Sequence, residues 1–415
     1  MPQVETNNSP DTKRATLFSH TGFAYFPLAI VARLPFAMVV VGVLTLIVSS
    51  RGSVEIGGLG SAMVGLGSAI VGPLIGAAAD RFGQRPTLLV SAAANSAALG
   101  LLAWAAYADI SVWWVFAAAF CVGASVPQVS PMSRSRLVTI ITSRLPADRA
   151  PRTLSTTLAY ESTADEIVFV FGPVVVGVLA TVLGAWAPVA GAAVLTLVFV
   201  VAFALHRTAV PARTRAERAA TLAPAGDLLR PTLLVTVLGI FGVGLVFGTV
   251  LTSLTAFMQA RGEAEAAGVL YGVMGLGSAI FALSVALFST RFTLRYRWLV
   301  FSACIVAGAT VLSQAETVGW VIAGLALTGI GIGPLLVTIY GFGAARSPEG
   351  RSATVMTMLG SAIMLGQSLA AGVTGAVAES QGVAAAQFLP LCAAGLTLAT
   401  GIANWALTRT TAEAR

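Results

Sequence analysis

The chain has 415 residues, of which 57% are hydrophobic and only 10% charged, with a mean hydropathy of +0.88. Soluble domains carry about 25% charged residues, so a soluble enzyme of this length is excluded. The apolar runs are long and unbroken, unlike the alternating strands of about ten residues that build a membrane β-barrel.

The first apolar run covers 23–48, too long for a signal-peptide core, and reads as an uncleaved first helix. Further runs fall at 58–79, 87–107, 112–133, 156–183 and 187–206. After a polar stretch come 231–258, 267–289, 298–314, 318–341, 353–377 and 386–408. A span needs roughly 20 apolar residues, so the expectation is an all-α membrane protein of twelve transmembrane helices. Of the 24 basic residues, all but Arg33, Arg51 and Arg261 fall on the side shared by the termini, including Arg134 and Arg136 after the fourth run. The positive-inside rule then puts both termini in the cytoplasm. The net charge of +7 is therefore read as topological, and no nucleic-acid partner is expected.

The chain also repeats. Leu66-Gly-Ser-Ala-Ile70 recurs as Leu276-Gly-Ser-Ala-Ile280, half a chain length away, and at the same offset Arg81 aligns with Arg291 and Arg85 with Arg295. This predicts two pseudo-symmetric six-helix bundles, 23–206 and 231–408, joined by a cytoplasmic linker 207–230, with tails 1–22 and 409–415.

The chemistry excludes several classes. Lys13 is the sole lysine, so no P-loop is present, and His20 and His206, the two histidines, cannot build a zinc-protease helix. Cys121, Cys304 and Cys392 lie in apolar runs and suit packed thiols. No convergent nucleophile, base or metal set is visible, so neither an enzyme nor a cofactor is expected.

Four charges do lie inside spans: Arg33 in the first run, and Glu161, Asp165 and Glu166 in the fifth. Each costs about 2.5–3.5 kcal/mol at the bilayer centre. Arg33 and Asp165 both sit roughly 13–15 Å deep at 1.5 Å per residue, so they can pair. Glu161 and Asp165 share a helix face, whereas Glu166 points about 100° away from Asp165. One arginine cannot serve all three, and a carboxylate it leaves unpaired can bind and release a proton as its access changes. The alternative is a purely structural pair, with Glu161 reaching the interface.

The second run ends in Gly76-Ala-Ala-Ala-Asp80-Arg81-Phe82-Gly83-Gln84-Arg85. This resembles the helix 2–3 signature of the major facilitator superfamily, with Gln84 at one of its basic positions. The resemblance implies two rocking bundles around a midplane site. It also implies a cytoplasmic gate formed by Gly76, Asp80, Arg81, Gly83 and Arg85, with Asp80 facing the positive end of a helix in the other bundle. Gly172-Pro173-Val-Val-Val-Gly177 resembles the Gly-Pro element of the drug:proton antiporter branch. The fourth run, however, lacks that branch's intramembrane arginine in Val115–Gly123, so coupling would fall to Arg33 and the acids of the fifth run. Weaker cavity candidates are Gln128, Ser130, Phe241, Phe247, Tyr340 and Gln367.

The expected activity is proton-coupled export of a small apolar or amphipathic compound by a monomer in the plasma membrane. Its partners are the substrate, protons and the lipid bilayer. Uptake of a polar solute such as a sugar, lipid translocation, and a non-transporting sensor or scaffold are the rivals. Reporter fusions at Arg213 and Arg261 should lie on opposite sides of the membrane; the same side for both would refute the map.

Overall fold

In lipid every backbone N–H and C=O must bond within its own segment, and long apolar runs meet that demand as helices. The computed structural model describes residues 16–52, 54–211, 222–262, 266–289 and 291–408, and among these it is all-helical. The longer helices are α1 (Tyr25–Arg51), α2 (Val54–Phe82), α3 (Gln84–Tyr107), α4 (Val112–Arg144), α5 (Ala150–Leu183) and α6 (Ala187–Leu205). After them come α7 (Pro231–Gln259), α8 (Ala266–Ser284), α9 (Leu294–Ser313), α10 (Val318–Arg346), α11 (Ser352–Gln381) and α12 (Val383–Thr408). Among the described residues eleven helices are long and apolar enough to cross a membrane. The remaining long helix, α5, has 34 residues and carries the acids.

Two helices are broken, and the breaks place the site. Helix α1 is interrupted at Ala32 and Arg33, just before Pro35. A proline inside a helix loses one hydrogen bond and collides with the carbonyl four residues earlier, here that of Val31. Helix α4 is interrupted over Val126–Gln128, between Val112–Ser125 and Val129–Arg144, where Pro127 falls, and Pro131 lies in the first turn of the second segment. The fourth span therefore runs to Arg144, beyond the expected end at 133, and carries Arg134 and Arg136 into the protein. The expectation of a loop for these two arginines is corrected: both are buried.

Packing repeats between the halves. The pairs α1·α5, α1·α6, α2·α4, α3·α4 and α3·α6 recur as α7·α11, α7·α12, α8·α10, α9·α10 and α9·α12. Glycines permit the closest approaches. A Cβ at Gly123 on α4 would collide with the Val64 carbonyl of α2, and one at Gly333 on α10 with the Ser278 carbonyl of α8. One large buried cluster draws chiefly on residues after 230, joined by Val138, Leu158 and Ala159, while two smaller clusters belong almost wholly to the first half. Contacts between the halves run along α2·α11, α4·α11, α5·α8 and α5·α10.

The linker is described only at its ends. Gln84 N–H donates to the Val210 carbonyl, while Ala223 exchanges bonds with Glu349 O and Arg351 Nε. Arg213, Arg215 and Arg218, with Lys13, Arg14, Arg409 and Arg415 in the tails, lie outside the described residues.

Candidate functional site

The break in α1 leaves Arg33 facing α5, where Glu161 and Asp165 are one turn apart. The guanidinium donates through NH2 to Glu161 Oε2 at 2.5 Å and through NH1 to Asp165 Oδ1 at 3.1 Å. A second arginine closes the cluster from α4. Arg134 NH2 donates to Asp165 Oδ2 at 2.7 Å, and its NH1 donates to Ser130 Oγ at 2.9 Å. Ser130 Oγ donates in turn to Asp165 Oδ2 at 2.8 Å. Ser133 donates to Glu161 Oε1 at 3.0 Å and also shares a 2.7 Å bond with the Tyr25 hydroxyl.

Two arginines thus balance two carboxylates. Charges withdrawn from water require such pairing, because an uncompensated one costs several kcal/mol. Exposure is unequal: Arg33 is 3% exposed, Arg134 2% and Glu161 0%, whereas the Asp165 side chain is 20% exposed. Asp165 is the most exposed member of the cluster. Arg134 was missed in the sequence because the Ser133-Arg-Ser-Arg136 stretch reads as a polar loop. The two prolines just upstream, Pro127 and Pro131, are the signal that the helix restarts there.

Tyr340 joins the cluster from α10, with the Arg134 guanidinium over its ring, 3.7 Å from the centroid. Ser130 is already part of the cluster, whereas the other four cavity candidates are not gathered in. Gln128 is buried at the α4 break and donates to Val126 O. Phe241 and Phe247 are partly buried against the second-half core, and Gln367 lies half-buried on α11. The side chains of Glu166 and Pro173 lie outside the described residues. Gly172 abuts Ala37 of α1, where a Cβ would come within 2.7 Å of Ala37 Cβ, while Gly177 has no neighbour within 4 Å of the same added atom.

At the end of α2, Asp80 reaches the first turn of α11. Its carboxylate accepts from Ala353 N–H at 3.0 Å, Thr354 N–H at 2.7 Å and Thr354 Oγ1 at 2.6 Å. The free N–H groups and the positive dipole end of a helix favour an anion there. A Cβ at Gly76 would collide with Thr357 Oγ1, so glycine permits this approach. Gly83, at φ 91°, makes the turn into α3. Arg81 lies beside the Phe82 ring, and Arg85 NH2 donates to Leu205 O at 3.2 Å.

Gln84 has a local reason to be uncharged. Arg136 Nε donates to its Oε1 at 2.9 Å, and the Arg136 guanidinium lies over Phe203, 4.1 Å from the ring centroid. Arg136 NH1 also donates to Phe203 O and Thr208 Oγ1. Among the described residues these partners are all neutral, and a cation at 84 would face a cation.

Broken, apolar helices around paired buried charges define a multi-pass membrane protein with an internal polar site. The chain belongs to the major facilitator superfamily, whose family model matches residues 25–371. It is a membrane transporter rather than an enzyme. Similar solved structures include the human organic anion transporter MFSD10 (TETRAN), 18% identical with a TM-score of 0.69, the match covering 92% of this chain and 97% of that one. The E. coli fucose:proton symporter FucP is 14% identical with a TM-score of 0.64, covering 91% and 98%. A bacterial homologue of the iron transporter ferroportin in an outward-facing state is 14% identical with a TM-score of 0.67, covering 94% and 100%. At such identity the likeness establishes the fold. No curated protein matches the sequence.

Replacing Gln84 by Arg should lower the thermal unfolding midpoint in detergent, with a loss of about 2 kcal/mol or more from a removed acceptor and an added buried cation. Gln84→Glu should hold or raise the midpoint by giving Arg136 a counter-ion. The opposite order of the two variants would contradict this account of position 84.

Proposed function

We propose that the protein is a proton-coupled exporter of a small apolar or amphipathic compound, resembling the drug:proton antiporter branch. In this reading twelve spans form two six-helix bundles, 23–206 and 231–408, with α5 as the twelfth span. The linker 207–230 and both tails, 1–22 and 409–415, are cytoplasmic, and the protein works as a monomer in the plasma membrane.

The observation that carries the reading is the arrangement around Asp165. It is a partly exposed carboxylate at bilayer depth, held between two buried arginines. Ionisable groups inside spans mark substrate or proton pathways. A carboxylate reached by water can take a proton while Arg33 keeps Glu161 as its partner. The four charges remain balanced in one state and become unbalanced by one in the other, which gives the two states different preferred geometries.

The gate assignment rests on Asp80. Its bonds to α11 join the two halves at the arginine-rich end, together with packing of Leu158 toward Gly341 and of Pro131 against Gly360. With that end cytoplasmic, this is the form closed to the cytoplasm. Gly76, Arg81, Gly83 and Arg85 serve the same closure, and Gly172 lets α5 pack closely against Ala37 of α1. The substrate is proposed to lie between the charge cluster and the apolar walls offered by Phe241 and Phe247.

Transport of a compound panel in cells and then in proteoliposomes tests the reading. Collapsing the proton gradient should raise accumulation of a transported compound in energised cells, and Asp165→Asn should abolish gradient-driven flux while keeping passive exchange. Unchanged or reduced accumulation for every compound, or parental gradient-driven flux in the variant, would contradict it.

A further inference from the structure

The charge cluster lies on α1, α4 and α5, all in the first half, and Arg134 carries it across to the second. Its guanidinium is stacked on Tyr340 of α10, a ring only 4% exposed. A desolvated guanidinium over an aromatic face is a strong contact, and its strength depends on where the cation is held. Here Asp165 and Ser130 hold it, through NH2 and NH1, while Nε has no partner among the described residues.

We propose that the Arg134–Tyr340 stack is the link through which the charge on Asp165 sets whether the arginine-rich end is closed. The inference rests on the reading of Asp165 as the proton acceptor and assigns the step that follows. Asp165 is faced by Arg33 from α1, Arg134 from α4, Glu161 from its own helix and Tyr340 from α10. Tyr160 of α5 lies near Arg33, bonded to Phe26 O, and Tyr25 reaches Glu161 through Ser133. Of the other helices packed on α4 and α5, α6 and α8 carry no charged residue among those described, α11 carries only Glu379, near its far end, and α2 and α3 carry Asp80, Arg81 and Arg85 at the arginine-rich end.

The pairing is unequal between the two arginines, and this sets the direction. Arg33 holds both Glu161 and Asp165, whereas Arg134 has Asp165 as its carboxylate. When Asp165 takes up a proton, Arg33 keeps a counter-ion and Arg134 loses its own. A buried cation without a counter-ion is driven toward water, and the more exposed of its two neighbours is Asp165, at 20%, against 4% for Tyr340. The ring of α10 then loses its partner on α4. The neighbouring contacts of the same closure, Leu158 toward Gly341 and Pro131 against Gly360, lose the support beside them. A proton taken from the open side thereby releases the closed side, the sense that an exporter driven by an inward proton gradient requires.

The test is a distance measurement across the closed end, and it needs no substrate. Spin labels are placed at P86C and E349C, both exposed positions, in a chain carrying C121S, C304S and C392S, and pulsed electron resonance gives the populations of short and long distances at fixed pH. D165N, which mimics the protonated side chain, should raise the long-distance population about tenfold over the parent. Y340F keeps the ring face and should respond to D165N as the parent does. Y340L and R134K, which remove the face or the planar cation, should raise the long-distance population by themselves and show less than about a twofold further response to D165N. R134K serves where Y340L fails to fold, and the reverse.

An equal response to D165N in the parent, Y340L and R134K overturns the link while leaving Asp165 as the acceptor. A Y340F that behaves as Y340L overturns the role of the ring face. No response to D165N in the parent overturns the link and the proton reading together.

Discussion

A charge in the interior of a membrane protein must be met by an opposite charge or by polar groups, and much of this structure follows from that demand at four residues. Arg33, Glu161, Asp165 and Arg134 meet from three helices. Two of those helices are distorted where they supply an arginine or the turn before it. The break at Arg33 lets the guanidinium span two carboxylates one turn apart. The break at Val126–Gln128 restarts α4 so that Ser130, Ser133 and Arg134 face α5. Prolines produce both interruptions, so the same residues that weaken the helices define the polar site.

The second organising feature is the closed end. Asp80 occupies the first turn of α11 as a capping side chain would, yet it comes from the other half of the chain. Such an interaction is worth about 0.3–1 kcal/mol when exposed and up to about 2 kcal/mol when partly buried. On the proposed reading, that is strong enough to bias two states and weak enough to be broken in each cycle. The charge cluster and the proposed gate are connected physically through α4, α5 and their contacts with α10 and α11. On the proposed reading, the protonation of one carboxylate alters the balance of that whole end.

Much of this was legible in the sequence. The spacing Gly76, Asp80, Gly83 states the chemistry of a close approach, an anion and a tight turn, and the structure has each element in that geometry. Equal depth along two helices brought Arg33 and Asp165 together before any coordinates. Arg134 and Arg136 were not legible, because a positive-inside count assigns arginines at the edge of an apolar run to the loop. The structure shows why that fails here: Asp165 compensates one, and Gln84, Thr208 and a carbonyl solvate the other. The uncharged Gln84 looked like a departure from the family pattern and is instead the partner that a buried arginine requires.

The central claim is that a carboxylate in this cluster changes protonation while the fold is intact. An infrared pH titration of the purified protein in lipid, following the C=O stretch of a protonated carboxylic acid, measures it most directly. The account predicts a carboxylic band that titrates reversibly in the parent and is lost in Asp165→Asn. A titration with no carboxylic band, or one whose band persists unchanged in that variant, would contradict it.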